Sequence, residues 1–167
     1  ALKLEGKGKL VSNDRSANRR NRLINVIEDC LYDNYKTIIT VTGHDSTKWG
    51  LYEKDSYDCV LLDAPCSSER HVINDETALS QWGPNRPKML SSQQFAMAVA
   101  ALDAVKIGGY ILYSTCSINP MENENVIEKL FSRRPERFEE VSLDNKVLSL
   151  TDKLKHGYIV LPDTQDN

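Results

Sequence analysis

Residues Tyr57 to Cys66, Tyr-Asp-Cys-Val-Leu-Leu-Asp-Ala-Pro-Cys, constrain the fold more than any other stretch of the chain. Four consecutive apolar residues, Cys59 to Leu62, are too few for a stable helix and carry no polar alternation. They predict a strand buried on both faces, as in the centre of a parallel sheet. Strands of that kind deliver their chemistry at the carboxyl end, where Asp63 and Cys66 stand. Pro65 cannot donate to a ladder and stiffens the exit, so Asp63 and Cys66 are held close together by a restricted backbone. A strand that simply ends in a turn with an incidental buried cysteine fits the same residues.

Upstream, Lys9 to Asn13 predicts a short strand with Asp14 just past its end. A carboxylate at that place accepts hydrogen bonds from the ribose of a nucleotide-like cofactor, or else Asp14 or Ser16 simply caps the next helix. That helix, from about Ala17 to Leu31, sets Leu23, Ile27 and Leu31 at four-residue spacing, with Val26 and Cys30 widening the face. Arg15, Arg19, Arg20 and Arg22 crowd its first turns, opposing the macrodipole. They meet an anion there, or they form a solvated basic face. Thr37 to Thr42, rich in β-branched residues, predicts a second strand ending at Gly43-His44-Asp45. Asp45 is placed either to bond the amine of a bound base or to make a turn. Trp49 reads as a packing anchor.

Downstream of Cys66 the composition turns polar, and Ser67 to Lys88 predicts a long loop carrying Arg70, His71, Trp82, Arg86 and Lys88, a set suited to single-stranded nucleic acid. Ser91 and Ser92 offer an N-cap to a helix with Phe95, Val99 and Leu102 on one face, stopped by Gly108-Gly109. Tyr110 to Tyr113 predicts the next strand, running into Ser114-Thr115-Cys116-Ser117. Asn119-Pro120 opens a helix that turns Val126, Ile127, Leu130 and Phe131 inward. Arg137 to Val141 and His156 to Leu161 predict further strands. Asp14, Asp45, Asp63, Cys66 and Cys116 then all lie at strand carboxyl ends, where one cleft holds them.

Composition narrows the chemistry. A net charge of -3 rules out a generally basic coat for nucleic acid, although a local basic patch is compatible with it. The four cysteines form no Cys-x-x-Cys pair, which fits neither a zinc site nor a disulfide framework and predicts reduced thiols in an intracellular compartment. His71 has no second ligand at helical spacing, so no metal is expected. No stretch approaches the ~20 apolar residues of a membrane helix. One domain over residues 1–167 is the expectation from length. Ala1 follows no initiator methionine, and a beginning inside a longer protein is expected. Two strand-end cysteines outside any redox motif suggest nucleophilic catalysis, one thiolate attacking and the second thiol assisting.

Asp63-Ala64-Pro65-Cys66 together with Tyr113-Ser114-Thr115-Cys116-Ser117 resembles the paired motifs of the Sun-domain (Nop/Nol/Fmu) RNA 5-methylcytosine methyltransferases, which use S-adenosylmethionine. Asn13-Asp14-Arg15-Ser16, Arg19, Arg22-Leu23, Gly43-His44-Asp45 and Asn123-Glu124 extend the resemblance along the chain. Lys48-Trp49-Gly50, the run from Asp55 through Cys66, and Glu69-Arg70-His71 look most like the mitochondrial ribosomal-RNA member that works with an mTERF-type partner. The resemblance implies a Rossmann-like class I methyltransferase fold, α/β, with a mostly parallel sheet and helices on both faces. It implies that Cys116 attacks carbon 6 of cytosine, that Asp63 contacts nitrogen 3, and that Cys66 removes the carbon 5 proton and releases the enzyme. Asp14 and Arg19 match cofactor-contacting positions, Asp14 at the ribose; Asp45 lies near adenine, and Asp63 also borders the cofactor. The family's first strand and glycine-rich loop are expected before Ala1 and its final strand beyond the last residue. Ser46 stands where the family often has glycine.

Two other readings remain open at this stage. A non-catalytic scaffold of the same fold would bind ribosomal RNA or an assembly partner, but it needs neither Cys66 nor Cys116. A methyltransferase acting on an exocyclic amine would present an aromatic residue where Cys66 stands.

Overall fold

The structure is a computed structural model that describes residues 1–67, 76–144, 149 and 151–161. The chain forms two compact units, Ala1–Trp49 and Gly50–Asn167. In the first, strand β1 (Leu10–Asn13) pairs in parallel with β2 (Ile39–Thr42), from Leu10 opposite Ile39 to Asn13 opposite Thr42. Helix α1 (Ala17–Cys30) makes the connection. Ser16 caps it by accepting from the Arg19 N–H at 3.4 Å. Leu23 and Ile27 are half-buried, as their spacing predicts, whereas Val26 and Cys30 are exposed, so the apolar face is narrower than expected.

In the second unit, β3 (Tyr57–Asp63) pairs in parallel with β4 (Val105–Ser114). Between them run helices α2 (Glu76–Gln81) and α3 (Asn85–Ala104). Helix α4 (Glu124–Arg133) follows β4, and a short antiparallel hairpin, β5 (Asp152–Lys153) with β6 (Tyr158–Ile159), comes last. Ala98 and Leu102 of α3 and Val126 and Leu130 of α4 form the buried core, with Leu62, Ile111, Tyr113, Phe95, Val99 and Phe138 packed on it. The inward face predicted for α4 is therefore the observed one.

Several expectations are corrected. β3 is not buried on both faces: Val60 and Leu62 are half-buried, but Leu61 is 68% exposed, and Tyr110 and Leu112 of β4 are exposed beside it. The helices α3 and α4 pack on one side only of this strand pair. α3 begins at Asn85 rather than at Ser91, and Ser91 and Ser92 lie inside it, donating to the Lys88 carbonyl at 3.0 and 3.1 Å. Pro87 is tolerated because first-turn N–H groups have no intrahelical acceptor. The predicted loop over residues 67–88 thus contains α2 and the start of α3; Arg70 and His71 lie outside the described residues.

The α3 helix ends at Ala104, before the glycines, and β4 starts directly at Val105. Gly108 and Gly109 instead absorb a register shift between Tyr57 opposite Val105 and Cys59 opposite Tyr110. Gly108 has φ +80°, and a side chain at Gly109 would meet the Asp58 carbonyl at 2.7 Å. Arg137 to Val141 forms no strand, and of the predicted strand over His156 to Leu161 only Tyr158–Ile159 is strand.

Candidate active site

The register of the parallel pair sets Asp63 opposite Ser114 at the carboxyl ends of β3 and β4. Each chain then leaves the sheet through a short loop carrying a cysteine. Cys66 is buried at 8% exposure, and Cys116 is exposed. Their Cα atoms are 6.3 Å apart and the two residues are joined as a disulfide, within the range such bonds span. Four reduced thiols were expected. That holds for Cys30 and Cys59, which are free and exposed, and is corrected for this pair, because a sequence separation of 50 conceals a proximity that parallel strands create. Asp63 is exposed at the end of β3.

Behind the two loops lies a group that the sequence reading missed. Glu122 is fully buried, 0% exposed, as are Ser67 and Gln94. Its Oε2 accepts from the Ser67 N–H at 2.9 Å and from the Gln94 side-chain amide at 2.9 Å. Its Oε1 accepts from the Ser67 hydroxyl and, at 3.2 Å, from the Ser117 hydroxyl. Gln94 also donates to the Pro65 carbonyl at 2.7 Å. Asn123 continues the clamp, accepting from the Thr115 hydroxyl and donating to the Ser117 carbonyl at 2.8 Å. The Tyr113 hydroxyl donates to the Glu122 carbonyl at 2.6 Å, and burial pushes its pKa well above the ordinary value, so it stays a donor. Nothing in a polar run such as Asn119-Pro-Met-Glu-Asn-Glu marks its one buried carboxylate; only the packing of α4 does.

In the first unit, Asp14 and Asp45 follow the ends of the adjacent strands β1 and β2. Asp14 accepts from the Ser16 N–H at 2.8 Å and from Arg19 Nε at 2.7 Å. The Arg19 hydrogen bond holds its carboxyl below the usual range. Asp45 caps a short helical turn, taking both the hydroxyl and the N–H of Thr47 at 2.7 and 3.1 Å, and these lower its pKa. Of the two residues weighed as caps for α1, Ser16 is the one that caps it, while Asp14 makes a turn onto the Ser16 N–H and Asp45 caps its own turn. These roles leave room for a ligand, since a carboxylate has about four acceptor sites and each acid uses two in these bonds. Two carboxylates after adjacent parallel strands suit the hydroxyls and exocyclic amine of a nucleoside. Trp49 meets His44 edge-on, ring centres 5.7 Å apart. Asp14, Arg19 and Asp45 belong to the first unit; Asp63, Cys66 and Cys116 belong to the second.

The ion pair makes a pH prediction. Because Asp14 has a depressed folded pKa, the stability it adds is present above the unfolded value, about 3.9, and is lost as pH falls through the folded one. Arg19→Met is expected to move the Asp14 titration upward toward the ordinary carboxylate value, read by carboxyl NMR. An unmoved titration would show that the pair does not form in solution.

Among the described residues, no group of three His, Cys, Asp or Glu side chains is placed to hold a metal ion, and no helix is long and apolar enough to cross a membrane. A family model described as 16S rRNA methyltransferase RsmB/F matches residues 1–166. The chain belongs to that family. Among RsmB/F relatives, ribosomal RNA small subunit methyltransferase F of Pectobacterium carotovorum is 35% identical over 86% of this chain and 29% of its own length. The 5-cytosine rRNA methyltransferase NSUN4 of Bos taurus is 37% identical over 71% of this chain and 32% of its own. The chain therefore spans roughly a third of the curated relatives it matches. Of the solved structures, PH0851 superposes with a TM-score of 0.74 at 29% identity over 85% of this chain and 31% of its own. NSun6 from Pyrococcus horikoshii, solved with SFG, superposes at 0.64 with 26% identity over 86% of this chain and 35% of its own. The Rossmann-like methyltransferase fold expected from the sequence is that of these neighbours, and the RsmB/F assignment agrees with the resemblance carried by the two cysteine motifs.

Proposed function

We propose that the protein to which this chain belongs is an S-adenosylmethionine-dependent RNA cytosine-5 methyltransferase acting on ribosomal RNA, residues 1–167 supplying part of a single methyltransferase domain. The observation that carries this reading is the meeting of Cys66 and Cys116 at the ends of adjacent parallel strands, with Asp63 ending one of them. Carbon 5 of cytosine is a poor nucleophile, so a thiolate must first add to carbon 6. The exposed Cys116 takes that role as thiolate, forming the sulfur–carbon 6 bond while Asp63, acting as the acid, donates its proton to nitrogen 3 and so takes up the charge of the addition; that proton returns to Asp63 when the sulfur leaves. S-adenosylmethionine, when bound, supplies an electrophilic methyl group to carbon 5. The buried Cys66 then takes the carbon 5 proton, the sulfur–carbon 6 bond breaks, and Cys116 leaves as thiolate. A disulfide sulfur is no nucleophile, so the pair acts in its reduced form.

Asp14, with Arg19 holding it ionised, would accept from the cofactor ribose, and Asp45 would face the adenine, with Asp63 bordering the same cofactor. The target base must leave its stack to enter. The resemblance of Lys48-Trp49-Gly50 and of the run from Asp55 through Cys66 to the mitochondrial ribosomal-RNA member supports extending the reading to a mitochondrial ribosomal RNA and a partner of mTERF type. The test uses the full-length reduced protein with S-adenosylmethionine and ribosomal RNA, the product being digested to nucleosides. 5-Methylcytidine is the expected product. Methylation on an exocyclic amine would overturn the cysteine roles, and absence of cofactor binding would give the lead to a non-catalytic scaffold.

A further inference from the structure

The strand pairing brings β3 and β4 side by side, but it does not fix where the loops beyond them go. Cys66 and Cys116 both sit in those loops, after the ladder has ended at Asp63 and Ser114. Their relative position must be set by something that touches both loops at once. Cys66 is followed by Ser67, and Cys116 by Ser117, and both serines turn their hydroxyls onto one carboxylate. The same carboxylate takes the Ser67 backbone N–H. Gln94 ties it to the carbonyl just before Cys66. Asn123, next in sequence, holds the residues on either side of Cys116.

We propose that Glu122 is a positioning residue that sets the spacing of Cys66 and Cys116 by holding the loops that carry them to a single buried point. The assignment rests on the proposed chemistry only for its purpose, since the geometry itself is independent of any substrate. A surface carboxylate could not do this. Hydrogen bonds to a carboxylate are stronger than those between neutral groups, and the four that reach the Glu122 carboxylate come from Ser67, Gln94 and Ser117, two of which directly follow the cysteines. Glutamine has nearly the same shape but exchanges one acceptor for an NH2 group. That group must face either the Ser67 N–H and the Gln94 amide or the two serine hydroxyls. In the first orientation donor meets donor, and in the second the hydroxyls must reverse roles. Either way a tie is lost without opening a cavity. A shift of about 1 Å in a reacting group costs up to ~100-fold in rate, whereas nearby groups that only support the fold cost stability.

The experiment uses the full-length protein with Cys30→Ser and Cys59→Ser, so that only the pair reports. Diamide takes two electrons and two protons from the reduced thiols, becoming the hydrazide as the sulfur–sulfur bond forms. The rate of this closure is divided by the alkylation rates of each thiol measured alone, in Cys66→Ala and Cys116→Ala backgrounds, and so reads their mutual placement. Glu122→Gln is expected to slow normalised closure by about 10- to 100-fold and to slow single-turnover methylation in parallel, with S-adenosylmethionine binding unchanged. Ser117→Ala, which removes one hydroxyl and leaves the core intact, is expected to slow closure by about threefold and decides the matter if Glu122→Gln does not fold.

Closure at the unaltered rate in a folded Glu122→Gln protein overturns the proposal, even if methylation falls. Slowed closure in a protein that methylates no RNA upholds it, while the reading of the function falls alone.

Discussion

Cys116→Ala in the full-length protein is expected to lower methylation of cytosine by on the order of ten-thousand-fold or more, down to background, because the attack on carbon 6 is made by its thiolate. Cys66→Ala is expected to act at the other end of the reaction. Attack and methyl transfer proceed, but the carbon 5 proton stays, and the enzyme accumulates as a covalent RNA adduct that survives denaturation. Adding Cys116→Ala should abolish that adduct. The burial of the two residues fits this division, since the attacking sulfur must reach a base and the proton acceptor need not leave its loop. An adduct that persists without Cys116 would reverse the roles. A failure to form any adduct while RNA and S-adenosylmethionine both bind would remove thiolate addition from the mechanism.

Leu130→Ala is expected to destabilise the second unit by about 2–5 kcal/mol. Leu130 is buried in the cluster that joins α3 to α4, together with Ala98, Leu102 and Val126. Loss of three carbons there removes burial and leaves a cavity in that cluster. Val141→Ala is the control, an exposed apolar residue whose truncation should change stability by no more than about 0.5 kcal/mol. Native-state hydrogen exchange of α3 and α4 amides in the full-length protein reads both, since it reports the opening of that unit by itself. Equal protection in the two variants would mean that α4 is not held by this cluster. The loop carrying Glu122 leads directly into α4, so Leu130→Ala should also weaken the hold on the cysteines.

The elements legible in the sequence were those whose pattern is local. β2 followed from a short run of β-branched residues, β1 from the short Lys-Leu-Val-Ser-Asn run before Asp14, and α1 and α4 from four-residue apolar spacing. Asp63, Cys66 and Cys116 were legible as residues at strand ends because a parallel strand announces its carboxyl end. What local pattern cannot carry was missed. Pro84 and Pro87 suggested a loop where α3 begins, since proline is excluded from helix interiors but not from first turns. The apolar run in β3 promised two covered faces, yet a run of apolar residues does not say what covers each side, and Leu61 is exposed. The bond between Cys66 and Cys116 and the burial of Glu122 both depend on residues dozens of positions apart, and a single chain read in order shows neither.

The distance along the chain between the two cysteines also orders events in time. At a synthesis rate of about 5–20 residues per second, Cys66 leaves the ribosome roughly 2–10 s before Cys116, 50 residues later, and Glu122 follows after both. During that interval Ser67 and Gln94 have no carboxylate to bind, and the loop after β3 lacks the tie that Glu122 supplies. The nascent protein therefore carries the Cys66 thiol for seconds before Cys116 is made, open to any cellular disulfide, and can complete its site only once the carboxylate that gathers the two loops has been made.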